Sequence, residues 1–264
     1  MPEGDSIHRL AARLRPRLVG RKVTKLRVHA IADAIADTVV SHAITEVVAR
    51  GKNLLVRFDD GRALHIHLRM EGRVWFEKPR STFWRPRTMT TQLRLEVPGA
   101  IVVGDKIPVL RLLADGAEAR APDLVTLGPD LLGETLDEDE CLRRLRALGE
   151  RPVGEAIMIQ SAMAGVGNVY KSEVLFLEKL APTTPMSALS DETILAVVRR
   201  ARKLLLANVG RTSRVTRSTL RGTSPYYVYG RRGKPCFRCK TPIAMVYQGA
   251  PPGRSTYHCP SCQS

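Results

Sequence analysis

Four cysteines fall into two Cys-x-x-Cys pairs, Cys236 with Cys239 in CFRC and Cys259 with Cys262 in CPSC, separated by the 19 residues 240–258. Two such knuckles at this spacing close a tetrahedral site of four thiolates around one zinc ion. Each knuckle bends the backbone so that both sulfurs face the ion, and the residues between them form a hairpin. A tail this short buries too little apolar surface to fold alone, so the metal supplies the missing stabilisation. With every position filled by protein the ion is structural; His258, beside Cys259, is the alternative fourth ligand. The other end of the chain carries a different chemistry. Pro2 follows the start methionine, and a small residue there favours removal of Met1. Pro2 then exposes a secondary amine, either an incidental terminus or a nucleophile. Glu3 adjoins it, as a general acid/base or as a carboxylate placed at a helix start.

The charge says what such groups would meet. Lys and Arg number 42 against 26 Asp and Glu, a net charge of +16 over 264 residues. That excess favours a polyanionic partner. There is no apolar run of about 18 residues to span a bilayer, and the first residues lack the apolar core of a signal peptide. A cytoplasmic protein is therefore expected, with nucleic acid rather than a membrane as its partner and with reduced thiols that favour metal over disulfides. Within MAGVGNVYKSEVLF, Gly165 and Gly167 permit a tight turn. Asn168 then opens a helix whose free N–H groups suit a phosphate, or serves as an ordinary cap. Arg254 stands just before the second knuckle, a two-pronged phosphate grip or a solvated arginine. Cys141 is read as a small buried residue without a role.

The elements that must position these groups change character along the chain. Ile7, Leu10, Ala11, Leu14 and Leu18 recur at helical spacing, predicting an amphipathic first helix over 4–18. From about 21 to 113, short alternating segments such as NLLVRF, ALHIHLRM and AIVVGD read as strands of a sandwich or barrel. In ALHIHLRM, Leu64, Ile66 and Leu68 share one face, His65 and His67 the other. The stretch 115–136 links this half to four expected helices, DEDECLRRLRAL, PVGEAIMIQSAMAG, NVYKSEVLFLEKL and SDETILAVVRRARKLLLANV, the last capped by Ser190.

In their order along the chain, these segments resemble the formamidopyrimidine-DNA glycosylase and endonuclease VIII family of base-excision repair enzymes. MPEG resembles its N-terminal catalytic motif, and ARGKNLLVRF the strand carrying its lysine, here Lys52. HIHLRMEG resembles the segment with a phosphate-contacting histidine and an intercalating residue, here His67 and Met70. GVGNVYKSEVLF resembles the helix-two-turns-helix signature with Asn168 on a phosphate, and VYGRRGKPCFRC with RSTYHCPSCQ the zinc finger with Arg254 on DNA. The resemblance implies an α+β chain: an N-terminal β-sandwich with an amphipathic first helix (1–120), a helix-two-turns-helix domain (121–222) and a four-cysteine zinc-finger hairpin (223–264). It also implies a bifunctional glycosylase and lyase. Pro2 would attack C1′ of a damaged nucleotide, form a Schiff base and cut the strand by β- and δ-elimination. Glu3 would act as general acid/base, Lys52 would hold a phosphate or stabilise charge near the sugar, and Met70 would fill the gap left by the flipped nucleotide. The implied partner is DNA with oxidised bases or abasic sites, bound by a monomer.

Three departures bear on the branch. The usual Pro-Glu after the opening is Asp5-Ser6 here, the lysine usual in the guanine-excising branch is replaced at PVGEAIMIQ by Gly154 and Glu155, and only RGTSPYY separates TRSTL from VYGR. All three lean toward an endonuclease VIII-like enzyme acting on oxidised pyrimidines. The alternatives are the guanine-directed branch and a non-catalytic DNA-binding zinc protein, which would share every phosphate-binding part but not the need for Pro2 and Glu3. The Arg- and Ala-rich style points to a GC-rich bacterium.

Overall fold

The computed structural model describes residues 2–29, 33–77, 91–218 and 223–263, arranged in two compact units, Met1–Val125 and Thr126–Ser264. Met1, and residues 219–222 of the short connection noted above, lie outside the described residues.

Among the described residues, the first unit is built from eight antiparallel strands: β1 (Lys25–Val28), β2 (Ile44–Arg50), β3 (Asn53–Phe58), β4 (Ala63–His67), β5 (Arg73–Glu77), β6 (Thr91–Val97), β7 (Ala100–Asp105) and β8 (Val109–Leu113). They form two four-stranded sheets, ordered β1-β6-β7-β5 and β2-β3-β4-β8. Alternation along the strands sends Leu54, Val56, Leu64 and Ile66 of one sheet and Leu93, Leu95 and Val102 of the other into a shared core. Helix α1 (Gly4–Leu18) lays Ile7, Ala11, Leu14 and Leu18 on the same core, as its spacing predicts. Arg15 pins it to β2, donating through Nε and Nη2 to the Val47 carbonyl at 3.2 and 3.0 Å. Short helices α2 (Asp33–Asp37) and α3 (Pro122–Val125) complete the unit.

The second unit holds α4 (Glu138–Arg146), α5 (Val153–Ala156), α6 (Asn168–Leu177) and α7 (Asp191–Val209), then the hairpin β9 (Ala244–Gln248) with β10 (Arg254–His258). Ser190 caps α7, its hydroxyl accepting from the Thr193 N–H. Cys141 is buried in this helical core. One helical expectation is corrected: PVGEAIMIQSAMAG is helical only over Val153–Ala156. Beyond that turn the backbone bonds to the linker instead, Gly128 N–H to the Gln160 carbonyl, Ala164 N–H to Pro129 and Leu131 N–H to Ala164. A Cβ on Gly128 would lie 2.6 Å from the Ala162 backbone, so only glycine allows this approach.

Candidate functional site

Pro2 precedes Glu3, the N-cap of α1, whose carbonyl accepts from the N–H groups of Ser6 and Ile7 at 2.9 and 3.2 Å. Pro2 is half-buried and lines a cavity of about 550 Å³, while Glu3 is fully buried. Ser6, standing where the resemblance would place a second glutamate, lines the same cavity. The N-terminal end of α1 carries the positive pole of the helix dipole.

Lys52 and His67 meet through strand register. Gly51 (φ +57°) and Lys52 form the two-residue turn between β2 and β3, with glycine where a positive φ is needed. Asn53, the next residue, pairs across the ladder with His67. The turn is braced by buried side chains: Asn53 Nδ2 donates to the Arg50 carbonyl at 3.2 Å, and its Oδ1 meets Nε2 of the buried His65 at 2.9 Å. His65 was assigned no role from its sequence; its place is under the turn that carries Lys52. Burial first, and then the nearby charges of Arg69 and Lys52, push the His67 pKa down to about 4. The ring is neutral at pH 7, and its Nδ1 accepts the Arg69 N–H at 3.1 Å. The ring hydrogen is therefore on Nε2, which is left as a donor. Met70 follows in the β4–β5 connection and is 52% exposed.

In the second unit, Gln160 clamps the glycine turn: its Nε2 donates to the carbonyls of Met158 and Val166, and its Oε1 accepts the Gly165 N–H at 3.1 Å. Gly165 has φ +113°, accessible only to glycine. The helix cap is Gly167, so Asn168 is the first residue of α6 rather than its cap. Its Nδ2 donates to Ser255 Oγ at 3.0 Å, and one turn along, Ser172 Oγ accepts the Tyr257 N–H at 3.2 Å. These bonds dock β10 on α6, with Arg254 exposed at the start of β10. Glu173 is buried on the same helix and accepts the N–H groups of Tyr227, Val228 and Tyr229, each at 2.8 Å, and the Thr216 hydroxyl. Burial pushes its pKa up while these bonds oppose the rise. It anchors the chain leading into the cysteine segment, a role without a local sequence signal.

The four Cys Sγ atoms lie within 4.8 Å of one another, with Cys239 3.4 Å from both Cys259 and Cys262. Thiolates around one tetrahedral zinc sit about 3.8 Å apart, so the cluster fits a metal ion. The Arg238 N–H points to Cys236 Sγ at 3.4 Å, the bond that shapes a knuckle. His258 is not part of the cluster among the described residues.

Gly154 has a tertiary reason. The buried Gln248 side chain lies over it, donating to the Pro182 carbonyl at 2.9 Å and accepting from the Thr256 hydroxyl at 2.7 Å. A Cβ at 154 would come within 2.2 Å of Gln248 Oε1, so a lysine cannot stand there without displacing that network.

The formamidopyrimidine-DNA glycosylase N-terminal domain model matches residues 1–106, and the formamidopyrimidine-DNA glycosylase H2TH domain model matches residues 127–219. The whole chain aligns with 94% of a probable endonuclease 8 2 of Streptomyces coelicolor at 38% identity. It aligns with 99% of the DNA-(apurinic or apyrimidinic site) lyase Nei2 of Mycolicibacterium smegmatis at 36%. Among solved structures, the MutM (Fpg) protein of Thermus thermophilus superposes with a TM-score of 0.80 at 29% identity, covering 99% of this chain and 98% of that one. With two domain models in order and relatives matched along its full length, the chain belongs to the formamidopyrimidine-DNA glycosylase family.

Proposed function

We propose that the chain is a base-excision-repair DNA glycosylase with lyase activity at abasic sites, using the Pro2 amine freed by removal of Met1. The glycosylase and lyase activity accords with the family and with the named activity of the Mycolicibacterium smegmatis relative. The observation that carries the assignment to Pro2 is its position, lining a cavity at the positive end of α1 beside a buried carboxylate.

The nitrogen lone pair attacks C1′, the C1′–N bond to the base breaks, and the base leaves with a proton. The new ammonium loses its N–H proton. Glu3 delivers a proton to O4′ as the sugar ring opens, and the nitrogen lone pair forms the C1′=N⁺ iminium. Loss of a C2′ proton expels the 3′ phosphate, a second elimination expels the 5′ phosphate, and hydrolysis restores the amine. An α-amino group titrates near about 8 against about 10.4 for lysine, so far more of it is free at neutral pH.

Lys52, His67, Asn168 and Arg254 hold phosphates, His67 as a neutral donor through Nε2. Met70, long and apolar, enters the gap left by the flipped nucleotide. Cys236, Cys239, Cys259 and Cys262 bind one structural zinc ion that braces the hairpin bearing Arg254. The glycine at 154 and the relatives named endonuclease 8 support oxidised pyrimidines over guanine lesions. The bacterial relatives, and the absence among the described residues of a helix able to cross a membrane, accord with a cytoplasmic DNA-repair enzyme.

Borohydride trapping on an abasic oligonucleotide, with mass mapping of the cross-link, is expected to place the adduct on Pro2. No adduct from protein that lacks Met1 and binds DNA would instead support a non-catalytic DNA-binding protein. A lesion panel in which 8-oxoguanine is excised faster than oxidised pyrimidines would overturn the branch assignment.

A further inference from the structure

The Pro2 cavity contains a carboxylate that the mechanism above does not use. Asp105 ends β7, where it pairs with Arg73 of β5 on one side and Thr91 of β6 on the other. Its side chain lines the same cavity as Pro2, together with Arg9 and Arg13 of α1, Arg73 and Trp75. Asp105 Oδ1 is buried and, among the described residues, accepts no hydrogen bond. Arg9, Arg13 and Arg73 thus share the cavity lining with this carboxylate, and among the described residues none of them donates to that buried oxygen. A buried acceptor without a donor is costly, and the cost is larger for an ionised group. A cation held against the carboxylate would offset that charge.

We propose that Asp105 is the counter-charge of the Pro2 amine and of the iminium that the amine forms. This rests on the assignment of Pro2 as nucleophile. Among the described residues, the charged groups that share the cavity with Pro2 are Arg9 and Arg13 from α1, Arg73 from β5 and Asp105 from β7, with the buried Glu3 and Asp5 beside it in sequence. The arginines and the helix dipole all disfavour positive charge on the nitrogen. Among the described lining residues, Asp105 is the carboxylate that opposes them. An ammonium can escape an unfavourable field by releasing its proton. The proline iminium cannot, because its charge is permanent until hydrolysis or elimination. A fixed anion in the cavity therefore matters most after the base has left, when it holds the cationic intermediate long enough for the C2′ proton to be removed. Asp105 acts through Pro2 and is a positioning residue.

The test is borohydride trapping on an abasic oligonucleotide across pH 5.5 to 9 with the full chain, comparing wild type, Asp105→Asn and Asp105→Glu. Removing an anion beside an amine lowers the amine pKa, so the acid limb of Asp105→Asn is expected to move down by about one pH unit. Its plateau yield of trapped adduct is expected to fall severalfold. Asp105→Glu keeps the charge and is expected to retain the wild-type limb. Circular dichroism melting checks the fold; if Asp105→Asn unfolds, Asp105→Ser is read in the same way. An uncharged variant whose profile superimposes on wild type, with its adduct still on Pro2, overturns the proposal. Wild-type protein giving no adduct, or one on another residue, overturns the Pro2 assignment itself before any variant is compared.

Discussion

Asn168 donates to the Ser255 hydroxyl at 3.0 Å, tying the first residue of α6 to the second residue of β10. The two residues are 87 positions apart, yet this bond and the Ser172–Tyr257 bond fix β10 along α6. Two segments that look independent in the sequence are docked on one another by these bonds.

Ser255→Ala is therefore expected to cost about 1 kcal/mol of stability and, on the proposed function, to weaken binding of damaged and undamaged DNA alike. Arg254→Ala should weaken both substrates more, and reduce the slope of log K against log salt by up to about 0.9. Fluorescence anisotropy at several salt concentrations reads both. Unchanged affinity with lost excision in Arg254→Ala would remove its positional role.

His67 supplies a pH prediction. Its folded pKa of about 4 lies below the ordinary 6.5, so between those values the unfolded chain binds more protons than the folded one. The stability it contributes is fully present above about 6.5 and is lost as pH falls through that window. NMR of the free protein should show the His67 ring titrating near 4, and His67→Gln should flatten the stability profile between the two values. A midpoint near 6.5 would contradict the buried neutral ring.

At position 154, Gly154→Lys drives a side chain into Gln248 Oε1. The expected loss is about 1–3 kcal/mol, partly recovered in the Gly154→Lys, Gln248→Ala double variant. Thermal melting measures both. A lysine tolerated without loss would mean that the Gln248 network yields easily and that Gly154 says nothing about substrate branch.

The cysteine cluster predicts one zinc ion per chain by elemental analysis, falling to well below one in Cys239→Ser, with a matching loss of DNA affinity as the hairpin bearing Arg254 loosens. Metal-free native protein that still binds DNA would sink the zinc-finger reading.

Much of this was legible in the sequence because it was local. The spacing of Ile7, Ala11, Leu14 and Leu18 fixes one face of α1, and the alternation of ALHIHLRM separates Leu64 and Ile66 from His65 and His67 whatever they pack against. The cysteine knuckles carry their geometry in a four-residue spacing. Where periodicity was followed past its support, at PVGEAIMIQSAMAG, the helix stopped after Ala156 because linker residues 128–131 compete for the same backbone groups. No pattern within the segment records that competition.

The sequence by itself determined the order of elements, the Pro2-Glu3 opening, the paired cysteine spacing and the family, because each depends on residue type and short-range spacing. Only the tertiary structure decided that His65 and Asn53 brace Lys52, that Glu173 anchors residues 227–229, that Gln248 forbids a side chain at 154, and that Asp105 lines the cavity of Pro2. These are lone polar residues, and a lone polar residue acquires its meaning from what folding places against it: buried, it must find a partner or stay unsatisfied, and either outcome is set by neighbours distant in the chain.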